Sequence, residues 1–160
     1  MKKILIISDT HGSGKGIEKL RPLIEENDYL VHLGDGVTEA RRLFGEYPEK
    51  VYACAGNCDI FSPFSDEGEL QVEGVKIFYC HGHKYGVKIT LDRLVQEAKR
   101  RDCDIVLYGH THVAKIKEAE GVLLINPGSF RYPVGEGGSY AYLVVNATKA
   151  TPVIVGESVY

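Results

Sequence analysis

The chain has 160 residues, 44% of them hydrophobic and 26% charged, with a formal net charge of −3. This is the length of one domain, residues 1–160, with a substantial core, and its apolar runs stay well short of the roughly 18 residues that a membrane span needs. The charge argues against a long polyanion as natural partner, and the basic clusters Arg41-Arg42 and Lys99-Arg100-Arg101 fall on predicted helices as solvated faces.

The opening MKKILIISDTHG has a short apolar run and no small-residue cleavage site, so it is read as strand 3–8 rather than a leader. A cytoplasmic protein with reduced thiols is expected. Helix ~15–27, strand 29–34, helix ~37–46 and strand 50–56 follow, an alternation that implies a parallel sheet with right-handed crossovers. The irregular stretch IFSPFSDEG leads into ELQVEGVKIFYC, a hairpin turning at Glu73-Gly74. Leu91, Leu94, Val95 and Ala98 recur at helical spacing in a helix ~88–101, and strand 104–109 comes next. The rest is β-rich, with AKIKEAE, VLLIN, YAYLVVN and TPVIVGE separated by Gly, Pro and Asn turns. These late strands and the hairpin suffice for a second sheet, giving an α/β fold of two stacked sheets flanked by helices. Cys54, Cys80 and Cys103 lie in or beside strands as small hydrophobes, and no C-x-x-C pair exists.

The chemistry sits where the strands stop. Asp9-x-His11, Asp35, Asn57, His81 and His110-x-His112 each follow an apolar run directly. Ligand sites in open α/β sheets lie at the carboxyl ends of strands. A lone Asp or His after a strand is usually a turn residue or a cap, but here the pattern recurs in five clusters, with five of the six histidines in DTH, HGH and GHTH. Carboxylate, imidazole and amide oxygen suit divalent Mn, Fe, Co, Ni or Zn. Seven such groups exceed one tetrahedral site and fit two ions sharing a carboxylate. Gly34 and Gly36 flank Asp35 and let the backbone turn tightly enough to bring it close to both.

The ordered set D-x-H, G-D, G-N, H-G-H and G-H-T-H resembles that of the calcineurin-like metallophosphoesterases. GNCD at 56–59 and NPGS at 126–129 make the chain most similar to the compact YfcE-type phosphodiesterase branch. The resemblance implies a four-layer αββα sandwich of two mixed sheets. It implies one metal on Asp9, His11, Asp35 and His112, and a second on Asp35, Asn57, His81 and His110, with Mn²⁺ the favoured ion. Asn57 and His110 then stand beside a metal-bound hydroxide, the nucleophile for in-line attack on a small phosphodiester. Where many relatives carry a leaving-group histidine this chain has Cys58, a poorer acid near neutral pH. Cys58→His beside Asp59 is expected to recreate the usual dyad. The resemblance also favours a homodimer.

His83 and Arg131 are candidate substrate contacts. His32, inside VHLGD, is read as a core or supporting residue, and NPGS with SFRYP as a loop packing under the site. HGSGKG fails the phosphate-loop pattern, having Asp9 for its first Gly and Gly16 for its final Ser/Thr. Two other functions are open: a scaffold like the retromer subunit that shares this fold, which would not need a full ligand set, and a nuclease of the same superfamily, which would need a basic groove.

Overall fold

The computed structural model describes residues 1–156. The first sheet is nucleated by β1 (Lys2–Ile7), β2 (Tyr29–His32) and β3 (Val51–Ala53), with α1 (Gly14–Glu26) and α2 (Val37–Glu46) as crossovers. These strands are parallel as expected, pairing Ile4 with Tyr29 and Leu30 with Val51. The hairpin β4 (Glu67–Val72) and β5 (Val75–Cys80) turns at Glu73-Gly74 and opens the second sheet. After α3 (Asp92–Arg100) come β6 (Ile105–Leu107), β7 (Lys115–Ala119), β8 (Val122–Asn126), β9 (Tyr140–Asn146) and β10 (Lys149–Val155).

The sheet orders are β10-β9-β1-β2-β3 and β4-β5-β6-β8-β7. The late strands therefore divide, which differs from the sequence expectation. Only β7 and β8 complete the second sheet, while β9 and β10 return to the first, β9 running antiparallel to β1. The reason lies in β1, whose Ile4, Leu5, Ile6 and Ile7 are all fully buried. A strand buried on both faces belongs in the middle of a sheet, with a neighbour on each side.

Four layers result. Ile4, Ile6, Val31, Leu33, Ile77 and Leu107 fill the space between the sheets. Leu5 and Ile7 meet Ile17, Leu20 and Ile24 of α1 and Leu43 of α2 on one outer face. Phe78, Val106 and Leu124 meet Leu94, Val95 and Ala98 of α3 on the other. Each such side chain contributes about 1.5–3 kcal/mol by leaving water.

Several predicted elements are longer than the real ones. β3 stops at Ala53 because Ala55 N–H donates to Ser65 O (2.9 Å) outside the ladder. The third helix begins at Asp92 rather than near 88, since Ile89 and Thr90 N–H both turn back to Gly86 O and Thr90 Oγ1 accepts the Asp92 N–H. Arg101 departs from the solvated face expected of it. It lies 4.4 Å over the Phe78 ring and pairs with Glu67, Glu69 and Glu97, tying α3 to β4. Glu157, the end of the TPVIVGE strand, lies outside the described residues. No helix among the described residues is long and apolar enough to cross a membrane.

Candidate metal centre

The ends of β1, β2 and β3 and of β5 and β6 converge at one edge of the sandwich. Asp9 and His11 come from the turn after β1, Asp35 from the turn after β2, His81 directly from the end of β5, and His110 and His112 from the turn after β6. Asp9 Oδ1 lies 3.1 Å from His112 Nε2 and 3.7 Å from His11 Nε2. His81 Nε2 lies 3.3 Å from Asp35 Oδ2 and 3.1 Å from His110 Nδ1. Ligand-type atoms of Asp9, His11 and His112 fall within 4.8 Å of one another, as do those of Asp35, His81 and His110. Asp35 also approaches the first group, with Oδ2 3.9 Å from His11 Nε2.

The local backbone is unusual. Asp9, His11, Asp35, His110 and His112 all have left-handed φ values, from 40° to 72°, a region that few non-glycine residues occupy. Gly34 and Gly56 make the close approach possible. A Cβ on Gly34, itself at φ 98°, would stand 2.6 Å from Gly56 N, and one on Gly56 would stand 2.1 Å from Asp35 Oδ1. The loops after β2 and β3 thus touch backbone to backbone.

Hydrogen bonds fix the donors. His81 Nδ1–H donates to Leu33 O at 2.7 Å, leaving Nε2 with its lone pair turned to Asp35 and His110. A backbone carbonyl on the far ring nitrogen is the usual partner of a metal-ligating imidazole. Two ring nitrogens and a carboxylate so close together need a cation or a proton among them. Burial acts to lower the His81 pKa, but Asp35 and Asp9 outweigh it and hold it above the ordinary value. Burial alone would raise the Asp35 carboxyl, yet His81 and the Cys58 N–H hold it well below the usual carboxylate range. His110 is lowered by burial, by His81 and by Lys88. The donor set fits a divalent ion.

A second set of groups braces the first. Ser8 Oγ–H donates to Asp9 Oδ2 (2.5 Å), and His110 N–H donates to the same oxygen. Ser129 Oγ–H donates to Asp9 O (2.9 Å), and buried Asn126 donates to Gly109 O and Thr111 Oγ1. The NPGS segment does pack beneath the site. His32 is fully buried, its Nδ1 accepting Gly34 N–H and its Nε2 donating to Thr10 Oγ1 (3.1 Å), as a supporting residue would.

Asp59 is the residue whose role the sequence did not reveal. Its Oδ2 accepts N–H bonds from Asp35 and Gly56, both at 2.8 Å, and its Oδ1 accepts from Gly36 and Val37, both at 3.0 Å. Both oxygens are engaged, so the expected Cys58→His dyad finds no free carboxylate at 59. This clamp joins loops 24 residues apart in sequence, and no local motif announces it.

The remaining candidates scatter. Asn57 is exposed in the same turn, its amide 3.6 Å from Cys58 Sγ. Cys58 is exposed, and its N–H donates to Asp35 Oδ1. His83 sits in a short 3₁₀ turn with its ring centroid 5.5 Å from that of His81, and its buried Nδ1 has no partner among the described residues. Arg131 lies exposed on a neighbouring loop and makes no hydrogen bond or ion pair with the cluster among the described residues.

Carboxylates and imidazoles gathered at the carboxyl edge of a two-sheet sandwich mark a candidate divalent-metal centre. Residues 1–149 match the model of the calcineurin-like phosphoesterase superfamily domain, and the chain belongs to that superfamily. It is 37% identical over 152 residues to the "Probable metallophosphoesterase YsnB" of Bacillus subtilis, covering 92% of this chain and 87% of that one. It is 28% identical to the phosphodiesterase YfcE of Escherichia coli K12, covering 84% and 83%. A conserved Streptococcus pneumoniae TIGR4 protein, described as a "predicted phosphoesterase", superposes with a TM-score of 0.82 at 25% identity, covering 99% and 92%.

Proposed function

We propose that this protein hydrolyses small phosphodiesters with the help of two divalent metal ions. The observation that carries this reading is the pair of three-residue clusters, Asp9–His11–His112 and Asp35–His81–His110, with Asp35 also facing the first. Asp9, His11, Asp35 and His112 would hold one ion, and Asp35, Asn57, His81 and His110 the other. The chemistry such ions would supply when bound is Lewis acidity toward water and the phosphoryl group. The protein's own part is to orient and to exclude. Asp59 sets the Asp35 turn, Leu33 O fixes the His81 tautomer, and Ser8 and Ser129 immobilise Asp9. His83, whose ring centroid lies 5.5 Å from that of His81, would be the next imidazole along the second cluster for a substrate to meet. The likeness to YfcE in name and sequence supports a diester substrate, and Mn²⁺, Ni²⁺, Co²⁺, Fe²⁺ and Zn²⁺ all suit the donors. A scaffold would need none of these side chains, and the gathering of six of them into two clusters supports the enzymatic reading.

The test is hydrolysis of bis(p-nitrophenyl) phosphate by protein stripped with chelator and then reloaded. Activity is expected to vanish on stripping and return with Mn²⁺. Full activity in protein shown metal-free by elemental analysis would overturn the proposal.

A further inference from the structure

A second recess adjoins the centre on the β6 side. It has a volume of about 330 Å³, and its cationic wall is Lys88, Lys115 and Lys117. Lys115 and Lys117 lie two apart on β7, opposite Asn126 and Leu124 of β8. Lys117 therefore shares the face on which Leu124 packs toward α3, and Lys115, two residues away, shares it too. Lys88 comes from the turn before α3, between Val87 and Ile89, and lines the same recess. Thr111, between His110 and His112, belongs to the same lining. The recess and the metal centre are thus two sides of one loop.

The charge distribution is one-sided. No Asp or Glu lines this recess, although the chain holds 22 of them. Among the described residues, lysine ion pairs are made by Lys2, Lys76, Lys84 and Lys99 and by none of these three. Another recess beside the centre, about 370 Å³, is of mixed charge, lined by Asp35, Glu39 and Asp59 together with Arg42 and His11.

We infer that the Lys88–Lys115–Lys117 recess is a substrate subsite for an anionic group, carboxylate or phosphate, carried on the ester arm that does not leave. This rests on the diesterase reading and narrows it to diesters with a second negative charge. Unpaired lysines on an edge strand can also serve only to discourage sheet-to-sheet pairing, and that role predicts no selectivity.

The experiment uses the Mn²⁺-loaded full chain and three p-nitrophenyl diesters whose second arm is 4-carboxyphenyl, 4-carbamoylphenyl or choline. We expect kcat/KM to fall in that order, with the carboxylate preferred over the amide by about ten-fold at most from three exposed lysines. The preference should shrink as salt approaches about 0.5 M. K88Q/K115Q/K117Q should bring the carboxylate-to-amide ratio near one, while K2Q/K19Q/K149Q, which removes equal charge elsewhere, should keep it. A ratio near one in the unaltered protein, or a ratio that survives the first triple variant, overturns the subsite and leaves the diesterase reading standing. Hydrolysis of none of the three overturns both.

Discussion

Asp59→Ala tests the claim that one carboxylate organises the loops around the centre. The side chain accepts four backbone N–H bonds at 2.8–3.0 Å, from Asp35, Gly36, Val37 and Gly56. Hydrogen bonds to a charged group are worth about 1.5–3 kcal/mol each when removed singly. These four share one acceptor and are only part-buried, so water would replace some of them. A total of about 3 kcal/mol is therefore expected, roughly half that for Asp59→Asn, which keeps one oxygen for one pair of donors. In a domain of this size that lowers Tm by about 6–12 °C. The measurement is urea unfolding of metal-free protein, so that lost metal binding does not enter. Chelator competition on the same variants should then show weakened Mn²⁺ affinity, because Asp35 and Gly56 are no longer held together. An Asp59→Ala variant within about 0.5 kcal/mol of the parent would refute the clamp.

Asp35→Asn should reduce activity on bis(p-nitrophenyl) phosphate more than His112→Ala, because Asp35 faces both clusters; the reverse ranking in kcat/KM would misplace the shared ligand. Gly56→Ala should abolish metal binding or folding, since its new methyl meets Asp35 N at 2.5 Å, and a soluble variant with unaltered Mn²⁺ affinity would contradict that packing. Burial lowers the His32 pKa to about 4. The unfolded chain binds that proton near pH 6.5, so stability present above pH 6.5 is lost as pH falls toward 4, by about 3 kcal/mol. His32→Gln should flatten that portion of the stability profile of metal-free protein, and an unchanged slope between pH 4 and 6.5 would assign it elsewhere.

The positions of the chemistry could be read in the sequence because each cluster follows a strand directly, and a strand end is a place in space as well as in the chain. His32 was legible for a similar reason, being polar within an apolar run. The assignment of β9 and β10 to the first sheet was not, because alternation shows which face a strand buries and not which edge it joins. Nor was Asp59 legible, since its partners lie in loops that meet only after folding. Arg101 reads as a surface charge in sequence, and only the arrival of Phe78 and Glu67 beside it makes it part of the packing.

The left-handed residues of the centre have a thermodynamic corollary. Asp9, His11, Asp35, His110 and His112 hold backbones that glycine adopts freely and that disfavour a Cβ. At about 1 kcal/mol apiece, the metal-free chain is under tension concentrated at one edge. Replacing exposed His11 or His112 by Gly should therefore relax that edge in the absence of metal, even as it removes a donor. The fold would be easier to keep without its chemistry, and a lineage that used this sandwich purely as a frame would be free to let these five positions slacken.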